Sequence, residues 1–419
     1  MRSRRMRRLA TAVAITAAGA LTLTACGSGF DDGGGGGGEG GGLTSSDDSL
    51  SVLIGSSGDA ETQAVEDAVA AWSDQSGTDA EVTVANDLTQ QLSQGFASGE
   101  PADVFYLSSD FLAGYAENGS LLAYGDMLDN ADDFYPTLVQ NFTYDNEFYC
   151  APKDFSTLAL VINNRLWQEA GLTDDDIPTT WDELADVAAR LTTDGRVGLG
   201  LGAEYQRVGV FMAQAGGGLV SEDGTEAIAD SDENVEALEY VQRLINDGSL
   251  TFAPELGAGW GGEAFGKELS AMTIEGNWIV GAMQADFPDV DYRVVELPEG
   301  PAGAGTLQFT NCWGIPADSP NQQAALDLVE YLTSKDVQLG FSDAFGVMPS
   351  IQSAAQEWTD ANPDLASFLA GADYASGMPT VEGAADVTSD FNAQIEQLGS
   401  ADIPSMLEQV QSNLEAIVG

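Results

Sequence analysis

The sequence predicts an α/β protein built as two lobes. Three observations carry that expectation. Short apolar strands alternate with amphipathic helices from Leu50 onward. About 370 residues follow Ser49, more than one hydrophobic core usually serves. Small polar, acidic and aromatic residues recur just past the strands, where open parallel sheets bind ligands.

"LSVLI", Leu50 to Ile54, is the first apolar strand. In "AETQAVEDAVAAW", Val65, Ala68, Val69 and Trp72 share one helical stripe, with Asp59 as the expected N-cap. "EVTVA" is the next strand, Leu88, Leu92 and Phe96 mark a second helix, and "DVFYL" is a third strand. Strand, helix, strand, helix, strand implies right-handed crossovers and a parallel sheet. "LALVI", Leu158 to Ile162, repeats the pattern. "TTWDELADVAARL" opens with a capping box at Thr180 and Glu183 and buries Leu184, Val187 and Leu191. "RVGLGL", "SAMTI" and "YRVVEL" read as strands, "NQQAALDLVEYLTSK" as an amphipathic helix, and the remainder as mainly helical. Trp72, Trp167 and Trp181 lie on helix faces and read as core.

The first residues read as an export signal. Arg2, Arg4, Arg5, Arg7 and Arg8 precede an uncharged apolar run, which stops at "LTAC". A cysteine directly after small residues resembles the lipobox of bacterial lipoproteins, which would make Cys26 the lipid-bearing residue; ordinary secretion with Cys26 a bystander is the alternative. "GSGFDDGGGGGGEGGGLTSSDD" cannot bury apolar surface and reads as a flexible tether.

Composition excludes several functions. The chain holds 14 Lys and Arg against 67 Asp and Glu, a formal charge of −53. Nucleic acid and anionic lipid head groups would be repelled. The acidity reads either as a solubilising surface or as adaptation to a salty habitat. Histidine is absent, which removes the commonest general base and His-assisted nucleophiles. Apart from Cys26 only Cys150 and Cys312 occur, and an oxidising exterior allows one disulfide. The loops "GSSGD", "SSD", "GAEY" and "EGNW" follow predicted strands.

Several segments together resemble the family-1 extracellular solute-binding proteins of ABC importers, the maltose-binding-protein-like group. They are "ADVFYLSSDFLAGYAENGSLLAYGD", "FYCAPKDFSTLALVINNRLWQEAGL", "IPTTWDELADVAARL", "FGKELSAMTIEGNWIV" and "ALDLVEYLTSKDVQLGFSDAFGVMPS". The order and spacing of these segments carry the resemblance. Glu268 and Leu269 stand where the family usually has Gly and Lys, and Cys150 where it often has a small residue. The resemblance implies a periplasmic-binding-protein-like type II fold. Its parts would be a signal at 1–25, a tether at 26–48, an N-terminal lobe at 49–149 and 313–340, hinge crossings at 150–154 and 308–312, and a C-terminal lobe at 155–307 and 341–419. It places "YCAPK" and "TNCWG" on adjacent crossings, so Cys150 would staple to Cys312; two unpaired buried thiols are the alternative.

The implied function is a membrane-anchored extracellular binding component of an ABC importer, not an enzyme. Its implied partners are a carbohydrate ligand, the permease subunits and the membrane through Cys26. It is expected as a monomer on the extracellular face of the cell membrane, with no nucleic acid, cofactor or metal. Aromatic faces and carboxylates suit a neutral sugar. Expected ligand-binding residues are Asp59, Ser108, Ser109, Asp110, Asp154, Glu204, Tyr205, Trp260, Asn277, Trp278, Trp313 and Met348. Rival readings are an importer protein for a polyamine, peptide or metal, a carboxylate-pair glycosidase, and a surface protein without transport.

Overall fold

The computed structural model describes residues 42–46, 48–221 and 223–418. The expected signal, Cys26 and most of the tether lie outside the described residues. Among the described residues no helix is long and apolar enough to cross a membrane.

The strands are β1 (Leu50–Ile54), β2 (Ala80–Val84), β3 (Val104–Ser108), a small hairpin of β4 (Thr143–Tyr144) and β5 (Glu147–Phe148), and β6 (Ala151–Asn163). They continue with β7 (Val197–Leu201), β8 (Leu250–Phe252), β9 (Ser270–Gly276), β10 (Tyr292–Val295), β11 (Thr306–Gly314) and β12 (Ala375–Ser376). The main sheet runs in the order β2-β1-β3-β11-β6-β9-β7-β8, with β10 on β6 and β12 on β11. The order is parallel at both ends, where β1 pairs β2 and β3, and β7 pairs β8 and β9. The expected parallel sheet is corrected in the middle, where β11 runs antiparallel to β3 and β6, and β6 antiparallel to β9.

All 13 residues of β6 are buried, the polar Lys153, Asp154, Ser156, Thr157 and Asn163 among them. At about 3.3 Å per residue it spans roughly 43 Å, long enough to serve two cores. Its start joins a cluster built from β1, β3 and helix Asp59–Ser76, through Cys150 and Ala151. Its end joins a second cluster through Leu158, Leu160 and Ile162, with Leu184, Val187 and Leu191 of helix Trp181–Leu191. Trp72 belongs to the first cluster, Trp167 and Trp181 to the second, as their helical stripes predict. Phe341, Ile351 and Ala354 also pack into the first cluster.

One cap and one capping box differ from expectation. Helix Asp59–Ser76 begins after Gly58, so Asp59 is its first residue rather than its cap. Thr180 does cap Trp181–Leu191, accepting from the Glu183 amide at 3.3 Å. The Glu183 carboxylate turns instead to Thr179, accepting from its amide and hydroxyl at 2.8 Å each. Only half of the predicted box forms.

Candidate functional site

The strand β11 is buried at both ends but partly exposed at Phe309, Thr310 and Asn311. The sheet surface therefore opens to solvent at its middle. Register places the neighbours of that opening. Asn311 lies beside Ser108 on one side and Asp154 on the other. Two residues away, Phe309 lies beside Ser156. Paired residues share a face and alternate residues return to it. Ser108, Asn311, Asp154, Phe309 and Ser156 therefore form one patch across three strands.

The pairing slips between Asn311 and Cys312, because Asp154 opposes Asn311 while Pro152 opposes Cys312. Lys153 is the extra residue of this bulge, and bulges re-aim side chains. The two carbonyls at the bulge find side-chain donors: Ser350 Oγ donates to Pro152 O at 2.6 Å, and Gln338 Nε2 to Lys153 O at 2.7 Å. Pro152 itself lacks a donor, which suits an irregular pairing. The adjacent Cys150–Cys312 disulfide, with Cα atoms 5.6 Å apart, ties the two long strands together. A third segment runs alongside: Phe155 and Met348 exchange backbone hydrogen bonds of 3.1 and 3.3 Å.

Lys153 Nζ pairs with Glu61 Oε1 at 3.0 Å and with Asp154 Oδ2, all three side chains buried. Glu61 also accepts from Tyr106 OH at 3.1 Å, from the Ser57 amide at 2.8 Å and from Ser57 Oγ at 2.7 Å. Burial works against each charge, and the pairing decides the outcome. Burial pushes the Glu61 carboxyl up, but Lys153 and Ser57 more than reverse this and hold it below its ordinary value. Burial lowers Lys153, but Asp154, Tyr106 and Glu61 overcome this and raise it, so the ammonium stays charged. One cation serving two carboxylates does not compensate both, and burial keeps Asp154 raised.

A second charged group sits at the end of β9. Arg207 Nη2 meets Glu275 Oε2 at 2.7 Å and its Nη1 meets Glu204 at 3.3 Å. Glu275 is fully buried, and desolvation raises its carboxyl despite Arg207. Trp278 donates from Nε1 to Glu275 Oε2 at 3.0 Å, lies 5.3 Å from the guanidinium and meets Phe309 edge-on at 5.5 Å. It nevertheless remains 38 % exposed, a large aromatic surface held still beside the patch. Gly276 permits this pose, since a Cβ there would stand 2.3 Å from the indole. The preceding Asn277 is buried; it accepts from Ser156 Oγ and donates to Gly346 O at 2.8 Å. That places Asn277 in a structural junction beneath Trp278.

The other expected ligand residues divide clearly. Asp59 is exposed, Asp110 is half-buried in the first turn of helix Ser109–Glu117, and Ser109 is buried at its start. Glu204 is partly exposed beside Arg207. Trp260 is half-buried and lies over Gly262 against a third apolar cluster. Three residues expected to face a ligand are instead packed inside. Tyr205 lies against Phe391 at 6.1 Å, Trp313 meets Tyr106 edge-on at 4.8 Å with no exposed surface, and Met348 is fully buried. Large aromatic and thioether groups gain more from a filled core than from a wet loop. Glu61, Arg207, Glu275, Phe309 and Asn311 were not expected, and Lys153 was expected only as a partner of Asp154, which it is. Cation scarcity is the signal that could have found Lys153 and Arg207: after Arg8 the chain has only nine Lys and Arg.

The profile of the family described as bacterial extracellular solute-binding protein matches residues 67–367. A Brucella abortus (strain 2308) protein described as a binding protein is 25 % identical over 351 residues, covering 79 % of this chain and 83 % of that one. The diacetylchitobiose binding protein DasA of Streptomyces coelicolor is 24 % identical over 282 residues, covering 64 % of this chain and 65 % of that one. Among solved structures, the cyclic α-maltosyl-1,6-maltose binding protein of Arthrobacter globiformis superposes with a TM-score of 0.78 at 23 % identity, over 88 % of this chain and 98 % of that one. The sugar-binding protein MalE of Xanthomonas citri gives 0.78 at 20 %, over 88 % and 97 %. At this identity the likeness establishes a shared fold.

Proposed function

The chain belongs to the bacterial extracellular solute-binding protein family, and on that premise we propose that it captures a neutral sugar or oligosaccharide for an ABC importer. The family is one of binding proteins rather than enzymes. The observation that carries the sugar reading is Trp278: an indole 38 % exposed, fixed by Glu275 and Arg207, beside a patch of hydroxyl, amide and carboxylate groups. Sugars present C–H faces to aromatic rings and hydroxyls to such polar groups. Ser108, Asn311, Asp154, Glu204 and Asp110 would take the hydroxyls. The proteins named above for maltosyl and chitobiosyl ligands support the same substrate class.

In this reading the chain divides into two lobes, joined where β6, β11 and the Gly346–Ser350 segment run together. Solute touching both lobes favours the closed arrangement by its differential contacts. Lipid anchoring through Cys26 and delivery to a permease complete the proposal. A thermal-shift and calorimetric panel of maltose, maltotetraose, diacetylchitobiose, spermidine and short peptides tests it, since bound ligand raises stability as ln(1 + [L]/Kd). Saturable binding of a neutral saccharide is expected. Binding of spermidine or a peptide with no response to any saccharide would overturn the sugar assignment.

A further inference from the structure

We infer that Glu61 and Lys153 are positioning residues that hold the Gly55–Asp59 loop in its ligand-ready shape and fasten it to the bulge in β6. The inference rests on the reading above together with the sequence expectation that Asp59 and its loop face the solute, but it concerns two residues that do not themselves meet solute.

The carboxylate of Glu61 is fully committed. Its Oε2 takes both the amide and the hydroxyl of Ser57, at 2.8 and 2.7 Å. Its Oε1 takes Lys153 Nζ and Tyr106 OH, at 3.0 and 3.1 Å. Ser57 is exposed, yet its amide and side chain both end on this buried group. The rest of the turn closes on itself, with Ser56 Oγ donating to Gly58 O at 2.7 Å and accepting from Thr62 at 2.8 Å. Glu61 is therefore the link between the loop and the interior.

Lys153 carries the link onward. As the extra residue of the bulge it has no partner across the strand pair, so its side chain is free to leave the sheet. It runs over the Tyr106 ring at 4.6 Å and beside Phe345 at 5.6 Å. Four separate pieces of chain thus converge on one ammonium: helix Asp59–Ser76, β3, β6 and helix Lys335–Phe345. A buried cation would be costly as filler, and its removal strands two carboxylates. This chain places one of its nine later cations at the junction between its binding loop and its crossing strands.

The test uses the chain as it stands with four substitutions: Glu61→Gln, Lys153→Met, Lys153→Arg and, as a control, Lys335→Met in the exposed pair with Glu357. Amide exchange across Gly55–Asp59 is read without ligand. Calorimetry with maltotetraose and diacetylchitobiose is read separately. Glu61→Gln and Lys153→Met should speed exchange in the loop by about tenfold or more, with similar losses of affinity for whichever saccharide binds. Lys153→Arg should retain protection, and Lys335→Met should change neither reading. Should Lys153→Met not fold, Glu61→Gln alone decides. Unaltered loop exchange in Glu61→Gln would overturn the inference, as would wild-type affinity in that variant. If no saccharide binds the unaltered chain, the functional reading fails while the exchange result still decides the positioning role.

Discussion

Trp278 Nε1 and Glu275 Oε2 meet at 3.0 Å, so a half-exposed ring is tied to a fully buried carboxylate. The carboxylate is in turn held by Arg207 at 2.7 Å. A ring fixed in this way loses little freedom when a ligand stacks on it.

Replacing Trp278 by alanine should weaken saccharide binding by more than about 1 kcal/mol, the scale of a lost aromatic anchor. Phenylalanine should fall between, keeping a ring but losing the bond to Glu275. Calorimetric affinities for the three chains check this, and equal values would remove Trp278 from the site.

The Cys150–Cys312 bridge closes a loop with a sequence separation of 162. Replacing both cysteines by serine should cost about 2–5 kcal/mol in a denaturant melt. Reductant should destabilise the native chain comparably and leave the double variant unchanged. Stoichiometric thiol labelling of Cys150 and Cys312 in the unreduced protein would contradict the bridge.

Glu61 is held below its ordinary value of 4.5, chiefly because Lys153 and Ser57 outweigh its burial. A lowered carboxylate contributes stability above its unfolded pKa and loses it as pH falls through the folded value. The melting temperature of Glu61→Gln should therefore lie below that of the native chain at neutral pH. The gap should close as pH drops below about 4.5. A gap that widens on acidification would reverse the assigned sign.

With a formal charge of −53, the folded chain repels itself. Raising salt from 0.1 to 1 M shortens screening from about 10 to about 3 Å. The melting temperature should rise over that range, and a flat or falling curve would show that the acidity carries no such penalty.

Much of the framework was legible because it is local. The apolar runs at Leu50–Ile54 and Leu158–Ile162 and the stripe of Leu184, Val187 and Leu191 appear where periodicity puts them. What escaped depends on register between distant segments. Nothing near Lys153 says that the pairing with β11 slips there, or that Glu61 lies within 3.0 Å. Aromatic residues in presumed loops misled for the opposite reason. Trp313 sits in a strand whose neighbour supplies Tyr106, so packing claims it, whereas Trp278 opens the helix that follows β9 and stays partly exposed. The backbone bridge of Met348 to Phe155 is likewise a matter of the third dimension.

Small-angle scattering with and without a saturating saccharide, one shown by calorimetry to bind tightly, tests the clamp most directly. A smaller radius of gyration in the bound state is the predicted result, as two lobes close around the solute. An identical profile in both states would contradict it.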